Sequence, residues 1–479
     1  MESASIQSAG DNRSDTSTGY LVDTEYKVYK RRWFYVLVVA LLNISNAAIW
    51  ISFSPIAYKT ATFYNVGSMG VNWLSLVYLV ASIPCGLAAT WLIDTMGLRT
   101  SILLGTWLNL IGSILRVVST LTGLNDDARY PIVITGQSLA AVAQPLVMFT
   151  PTKLAGLWFS DNQRATANTL ASMANPVGIL LANVLSPALL KEESDMKLLM
   201  LIYTAPAALV TLLATFGVCS SVPPTPPTAS AAESSEPFCK GLKRMRKMKS
   251  YWILCFVFGG GLGLVTTLST LFEQILCPRN YTDSFSGLCG ALMIAGGIVG
   301  AGIAGAYVDK TKKFEEVAKL AWALAALSLI AFTEVSRLRG MEVAIAVTVT
   351  LFGFFGFSLY PISLELGVEC TYPVAEATSA GFLIISGQIQ GIVFIIVMGL
   401  LAQDLPSGQQ FLPNGCVQNS TSVDQIIPQD YTVPNLSASG LTVFFVIVFL
   451  MFFKADYRRL RAEQKIEAEK ILTFSSRNI

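Results

Sequence analysis

Uncharged polar side chains recur at helical spacing inside apolar stretches of this sequence. Asn43, Asn46 and Trp50 are three and four residues apart, which places them on one face of a helix. Amides can hydrogen-bond a polar solute, and an indole ring can hold a cation against its face. The same amides can instead join helices, and a tryptophan can anchor a helix at a membrane interface. Because Trp50 lies well inside its apolar stretch beside polar and proline-containing neighbours, we favour a solute cavity.

Three further stretches carry amides that could face the same cavity. Gln144 lies seven residues after Gln137, Asn175 lies seven residues after Asn168, and Gln388 belongs to the segment GQIQG. For any single amide, an interhelical hydrogen bond is an equally good interpretation. We predict that Trp50, Asn46, Gln144, Asn175 and Gln388 bind the solute. The pair Asn175-Pro176 and the segment FGGGLGL at 258–264 also predict breaks in their helices.

The remaining residue types exclude several kinds of chemistry. The chain has no histidine and no Cys-x-x-Cys pattern, so we expect no metal site, and no cofactor is indicated. No nucleophile–base pair falls within an apolar stretch, which argues against an enzyme. Ionisable residues are absent from the centres of these stretches, with Arg116 and Glu273 near their outer ends. That absence favours passive facilitation over proton coupling.

Twelve apolar stretches must position these residues. A hydrocarbon core about 30 Å thick needs roughly 20 residues of helix to cross it. Because the backbone must satisfy its own hydrogen bonds in lipid, each stretch is predicted to be a helix. The predicted spans are 33–56, 70–92, 99–121, 131–154, 165–190, 198–219, 250–275, 285–307, 316–336, 341–363, 374–402 and 437–455.

The positive charges predict how the spans are oriented. Of the 33 lysines and arginines, 24 fall in the tails and loops on one side and 7 in the loops on the other. Since cytoplasmic loops are enriched in these residues, we predict that both termini are cytoplasmic. The net charge of +2 gives no indication of nucleic-acid binding. We read the basic run at 240–249 as an anchor near anionic headgroups.

Glycosylation sequons agree with this orientation. Asn280 and Asn419 lie in loops on the opposite side and are predicted to be glycosylated, whereas the sequon at Asn435 lies close to the membrane. Cysteines on the same, oxidising side could form one disulfide, and the sequence does not choose the pair. These cysteines are Cys277, Cys289 and Cys416.

A long cytoplasmic linker divides the spans into two sets of six. Residues 220–249 begin with VPPTPPTASAAESSEP, a composition that cannot form a packed core. The predicted domains are a disordered tail (1–32), an N-terminal half (33–219), the linker (220–249), a C-terminal half (250–455) and a cytoplasmic tail (456–479). We therefore predict an all-α membrane protein with the major facilitator fold, in which two six-helix halves rock around a central site.

A motif repeated in the two halves predicts a gate. After span 2 the sequence reads ATWLIDTMGLR, with Asp94 and Arg99, and after span 8 it reads GAYVDKTKK, with Asp309 and Lys312. Both resemble the G-x-x-x-D-x-x-G-x-R loop of major facilitators. Ion pairs between the halves at this loop would favour one conformation of the transporter over the other. The alternative is a solvated turn that only places positive charge at the cytoplasmic side.

Longer segments are similar to one branch of that superfamily. The similarity covers residues 26–460, and Glu365, Glu369 and Glu376 belong to the specific pattern E-x-x-x-E-x-x-Y-P-x-x-E. We assign Glu365 and Glu369 to the same gate. The sequence resembles the feline leukaemia virus subgroup C receptor-related branch, and within it the major facilitator domain-containing member. The other segments that carry the resemblance are 31–57, 72–86 and 154–168.

This resemblance implies a substrate class. Receptor-like members transport choline and ethanolamine and hold the ammonium group between a tryptophan of span 1 and a tyrosine of span 7, with glutamines nearby. Trp50 and Gln388 match that pattern, whereas Pro176 and Thr266 stand where a glutamine and the tyrosine are found. We therefore expect facilitated diffusion of a small organic amine or a choline- or ethanolamine-like cation, with Thr266 on the wall of the site.

Two alternatives stay open. Haem or another amphipathic metabolite has been associated with this branch, although a chain without histidine lacks the commonest haem ligand. The protein could also be a non-transporting receptor or scaffold, which would have no need of the gate residues. We expect a monomer with a small-molecule substrate. The C-terminal segment 467–472 resembles an acidic di-leucine signal for endolysosomes, but we favour an amphipathic tail and the plasma membrane.

Overall fold

The computed structural model describes residues 27–227, 238–311, 313–372, 374, 376–405, 429–458 and 461, apart from a few side chains within these ranges. Twelve helical stretches of this part are long and apolar enough to cross a bilayer, as predicted. The helices are α1 Arg31–Ile51, α2 Ala57–Tyr64, α3 Ser68–Thr95, α4 Gly97–Val118, α5 Asp126–Trp158, α6 Asp161–Leu189, α7 Met196–Gly217, α8 Phe238–Met245, α9 Lys249–Leu276, α10 Asp283–Thr311, α11 Phe314–Val335, α12 Glu342–Thr371, α13 Glu376–Leu401 and α14 Thr432–Phe452.

The first span is interrupted. Helix α1 ends at Ile51, a 3-10 turn follows at Ser54–Ile56, and α2 carries the span on to Tyr64. Pro55 lies in the 3-10 turn, where its ring prevents a regular helical hydrogen bond. Asn65 ends α2 in the left-handed conformation with φ of 50°, and its N–H donates to the carbonyl of Ala61. The first span is therefore longer than the predicted 33–56 and is broken in its C-terminal part.

The two predicted breaks were wrong. Helix α6 runs without interruption through Pro176, and α9 runs through its glycine-rich segment. The glycines serve close packing instead. A Cβ atom at Gly178 would lie 2.4 Å from the carbonyl oxygen of Ile44 in α1, and one at Gly263 would lie 2.8 Å from the backbone nitrogen of Gly391 in α13. Small residues let membrane helices approach this closely.

The helices pack as two halves. In the first half α4 packs on α5 and α1 on α6; in the second half α10 packs on α12 and α9 on α13. The halves meet where α6 contacts α10 and where α3 contacts α13. Large apolar side chains remain exposed on the outer surface, including Phe216 at 79% and Trp91 at 64%. A surface of this kind suits contact with lipid tails rather than water.

The beginning of the predicted linker is attached to the first half. The Nε atom of Arg99 donates to the carbonyl of Val218 at 3.1 Å, and the indole N–H of Trp158 donates to the carbonyl of Ser221 at 3.1 Å. The Tyr35 hydroxyl accepts the N–H of Cys219 at 3.1 Å. Helix α8 follows later in the linker, so this segment is partly helical.

A two-stranded ladder lies at the opposite end of the molecule. Strands β1 (Gln403–Asp404) and β2 (Gln429–Asp430) pair antiparallel, and Asp430 forms an ion pair with Arg279 at 2.8 Å. Partial burial disfavours the charged form of Asp430. Hydrogen bonds from Thr432 and the charge of Arg279 outweigh that effect and hold the pKa of Asp430 below its usual value. This ion pair joins the ladder to the end of the seventh span.

Candidate functional site

Trp50 lies one residue before the end of α1, directly beside the break in the first span. Its side chain is buried, with 8% exposed, and its indole N–H donates to the carbonyl of Ser75 in α3 at 3.3 Å. The Gln137 amide donates to the carbonyls of Ile49 and Trp50 at 3.3 Å each. These bonds satisfy carbonyls that the helix break would otherwise leave without partners. The indole ring is thus held in a defined orientation.

A short path of contacts joins Trp50 to the second half. Ser75 lies one turn before Leu79 on α3, and Leu79 lies against Gly391 of α13. Gln388 lies three residues before Gly391 and therefore shares the face of α13 that meets the first half. Gln390 is on another face, because its amide donates to the carbonyl of Phe256 in α9 at 3.0 Å. Gln388 therefore stays predicted to face the boundary between the halves.

The other predicted solute ligands differ in their exposure and in the hydrogen bonds that their side chains form. Gln144 is 5% exposed, and its carbonyl oxygen accepts the Ser82 hydroxyl at 2.9 Å. Asn175 is half-buried, and its amide nitrogen is buried without a partner among the described residues. Thr266 is 9% exposed and lies one turn after Gly263, where α9 and α13 touch. An unpartnered amide such as that of Asn175 is available to a polar solute.

Asn46 is engaged by protein groups. It is fully buried, and its amide nitrogen donates to Asn109 in α4 at 3.0 Å and to the carbonyl of Ala140 in α5 at 2.9 Å. Asn43 likewise donates to the carbonyl of Val147 at 3.3 Å. These two amides join helices within the first half. The Oδ1 atom of Asn46 is buried without a partner among the described residues, so solute binding by Asn46 stays a prediction.

The halves are latched together at one end of the molecule, which we call the Asn280 end. Glu273 of α9 is fully buried, and its carboxylate accepts the backbone N–H groups of Ala57 and Tyr58, the latter at 3.3 Å. These are the first residues of α2, where N–H groups have no partner within the helix. The Ser54 hydroxyl adds bonds to the carbonyls of Ser269 and Thr270 at 2.6 and 2.7 Å.

Two further pairs reinforce this latch. Lys59 of α2 forms an ion pair with Asp283 of α10 at 2.7 Å, and the Gln274 amide donates to Asn72 of α3 at 2.7 Å. Each pair joins one half to the other. The ligand atoms of Glu273, Cys277 and Asp283 lie within 4.8 Å of one another, as a metal site would require. However, Cys277 is disulfide-bonded and the two carboxylates already have protein partners. We therefore interpret the cluster as part of the closure and not as a metal site.

The predicted gate lies at the other end, which we call the Arg99 end. Arg99 binds the beginning of the linker within its own half. Glu369 is buried and Glu365 half-buried in the last turns of α12, and both engage in further interactions. The side chains of Asp94 and Asp309 lie outside the described part of the structure, as does Lys312. Pairing across the halves at this end therefore stays a prediction.

The sequons and cysteines predicted to lie at the Asn280 end fall only partly within the described residues. Asn280 is half-buried and caps a 3-10 turn with φ of 74°, whereas Asn435 is 4% exposed and unsuited to modification. Asn419 lies outside the described residues. Cys277 is in a disulfide bond and Cys289 is a buried free thiol, so Cys289 is not its partner.

The latch was not identified from the sequence. In the sequence, Glu273 is only an ionisable residue near the end of its span. Ser54 and Pro55 are only polar and proline-containing neighbours of Trp50. A carboxylate within an apolar helix is costly unless something binds it. A proline that interrupts another span frees backbone N–H groups that can do so. Together these two signals could have predicted the contact, but they do not specify which span meets which.

Comparison with known proteins agrees with this architecture. The sequence profile of the Major Facilitator Superfamily matches residues 36–410. The D-xylose-proton symporter has a similar structure, with a TM-score of 0.64 at 12% identity over 89% of this chain and 98% of that chain. A bacterial homolog of the lysosomal transporter Spinster gives 0.60 at 15% identity over 89% and 96%. At such low identity, these structures support the fold but not a function.

Proteins with similar sequences identify the branch of the superfamily. Solute carrier family 49 member A3 of Danio rerio is 46% identical over 439 residues, which cover 91% of this chain and 90% of that protein. The choline/ethanolamine transporter FLVCR1 of Felis catus is 30% identical over 388 residues, which cover 78% and 68%. The chain therefore belongs to the Major Facilitator Superfamily as a non-enzymatic membrane transporter, in the branch that includes solute carrier family 49 member A3 and, more distantly, the FLVCR proteins.

Proposed function

We propose that this transporter carries a small organic amine, of the choline or ethanolamine class, by facilitated diffusion through alternating access. The observation that carries the proposal is the position of Trp50. The ring is buried at the end of a broken helix, is oriented by its bond to Ser75, and is joined through α3 to the α13 face that carries Gln388. Two relatives of this branch are choline/ethanolamine transporters by name.

The chemistry of the predicted site suits a cation with a polar group. A desolvated ammonium on one indole face gains about 2 kcal/mol, or roughly thirtyfold in affinity. Gln388 and the unpartnered amide of Asn175 could bind a hydroxyl group on the same solute. Thr266 offers no second ring, so we expect weaker binding of quaternary amines than a two-ring cage would give.

Facilitated diffusion is favoured by the placement of the buried charges. Glu273 lies near the Asn280 end of its span and is occupied by backbone N–H groups of the other half. We therefore assign it to gating and not to carrying a coupling ion. We further propose that the Asn280 end faces away from the cytoplasm, in agreement with the positive charges and the sequons.

Uptake of labelled choline and ethanolamine, normalised to surface protein, tests the proposal. Trp50→Ala should weaken affinity more than tenfold, because it removes the ring face and its contact area. Trp50→Phe, which keeps an aromatic face, should be milder, and Thr266→Tyr should strengthen the binding of quaternary amines. Trp91→Ala is the matched control, since Trp91 is 64% exposed on the outer surface.

Two outcomes would contradict the assignment. If both Trp50 substitutions lowered abundance but left the uptake per molecule unchanged, Trp50 would only pack helices. If the wild-type protein carried neither amine at normal surface abundance, the substrate class would be wrong.

A further inference from the structure

An arginine is buried in the first half and has no acidic partner among the described residues. Arg116 lies in the last turn of α4 and is 1% exposed. Its Nη2 atom donates to the Ser52 hydroxyl at 2.5 Å, and its guanidinium carbon lies 4.7 Å from the centre of the Phe53 ring. Its Nε atom is buried and has no hydrogen-bond partner among the described residues. Part of the guanidinium is therefore free to bind another group.

The charged neighbours that would usually accompany a buried arginine are replaced by tyrosines. The titratable groups within electrostatic range of Arg116 are the tyrosines Tyr78, Tyr64 and Tyr203. Tyr64 is hydrogen-bonded to Ser119 at 2.9 Å, and Tyr203 to Ser186 at 2.7 Å. The Tyr78 hydroxyl is fully buried and, within the described part of the chain, has no partner. One cationic donor and one hydroxyl donor thus remain unsatisfied in the same region.

Neutral protein groups stabilise the positive charge of Arg116 but do not pair the two unsatisfied donors. The end of α4 and the face of Phe53 both stabilise a positive charge. Neither accepts a hydrogen bond from the Arg116 Nε atom or the Tyr78 hydroxyl, and buried donors are normally paired. A water molecule would pair the donors but leave the net charge buried. A small anion would accept both hydrogen bonds and neutralise the guanidinium.

We propose that a small monovalent anion, either chloride or a small carboxylate, binds between Arg116 and Tyr78 inside the first half. Ser52 and Phe53, which contact the guanidinium, belong to the break between α1 and α2. The anion therefore stabilises the segment that positions Trp50 on one side and the Glu273 latch on the other. The proposal does not depend on the identity of the transported solute.

Thermal unfolding of the purified full-length protein in detergent tests this site. Titrations at constant ionic strength compare sodium chloride and sodium formate with sodium gluconate, whose anion is too large for a buried site. The unfolding temperature should rise and saturate with chloride or formate, because a ligand that binds only the folded state stabilises it. A rise with chloride alone identifies a halide site, and a rise with both identifies a site that also takes carboxylates.

Substitutions locate the effect. Arg116→Gln should abolish the anion dependence, whereas Arg337→Gln should retain it because Arg337 is exposed and paired with Glu334. Tyr78→Phe should weaken the apparent affinity at least about tenfold, since one hydrogen bond to a charged group is lost. Removing an unpartnered hydroxyl should not prevent folding, so this variant remains informative if Arg116→Gln fails to fold. Equal unfolding temperatures in all three salts, or an unchanged affinity in Tyr78→Phe, would overturn the proposal.

Discussion

The closure at the Asn280 end predicts a large effect of one nearly isosteric substitution. Glu273→Gln keeps the shape of the side chain but replaces one acceptor oxygen with an amide donor. Glu273 accepts N–H groups from Ala57 and Tyr58, so at least one hydrogen bond between the halves is lost. Leaving a buried N–H group without its partner costs about 1–3 kcal/mol. The equilibrium between closed and open forms should therefore shift roughly 5- to 150-fold towards opening.

Accessibility of a reporter thiol measures this shift without knowledge of the substrate. Thr266 lies two turns below Glu273 on α9 and is 9% exposed in the closed form. In a Thr266→Cys background, a membrane-impermeant maleimide applied to intact cells reacts when the Asn280 end opens. When opening is rare, the labelling rate follows the population of the open form. We expect Glu273→Gln to accelerate labelling by about fivefold or more.

The control is Glu334→Gln, which removes a carboxylate that is 58% exposed and, among the described residues, paired with Arg337 alone. An exposed pair of this kind contributes at most about 1 kcal/mol and does not join the halves. Equal labelling rates for Glu273→Gln and the parent would refute the reasoning, because the closed form would then not depend on the hydrogen bonds that Glu273 accepts.

Two further predictions concern the Arg99 end and the topology. Asp94→Asn should lower transport at near-normal surface abundance if Asp94 helps to close the Arg99 end, and unchanged uptake per molecule would argue for a simple solvated turn. Treatment with an N-glycosidase should increase the electrophoretic mobility of the protein, and replacing Asn280 and Asn419 together with glutamine should remove most of that shift. A shift that persisted in the double variant would require the two sides of the membrane to be exchanged or another sequon to be used.

The membrane fold follows closely from local sequence. Hydropathy and length predict all twelve spans, because each helix in lipid must be apolar and must satisfy its own backbone. The break in the first span is not predicted because Pro55 falls one residue before the predicted end of that span, and residues 57–64 resemble a loop when read alone. The reverse error occurred at Pro176 and in the segment 258–264, where helix-weakening residues are retained because they allow close packing.

The contacts of the candidate site were harder to predict from the sequence than the fold. Spacing identifies which polar residues share a helix face, as for Asn46 and Trp50, but not which partners they meet. The amide nitrogen of Asn46 is occupied by Asn109 and Ala140, whereas the amide nitrogen of Asn175 has no partner among the described residues. That difference depends on helices distant in the chain. Residues whose importance comes from contacts between the halves, such as Glu273, cannot be recognised from the composition of a single span.

The attachment of residues 218–221 to the first half has a mechanical consequence. Arg99, Tyr35 and Trp158 hold this stretch, and Thr225 is hydrogen-bonded to Tyr29 at 2.9 Å, so the covalent tether between the halves begins only after Thr225. The 12 residues from 226 to the start of α8 at Phe238 could extend over about 40 Å. A tether of that reach sets no limit on the angle through which the halves turn. The angular range of this transporter is therefore governed by noncovalent contacts at its two ends, and the chain connection only keeps the halves at high effective concentration.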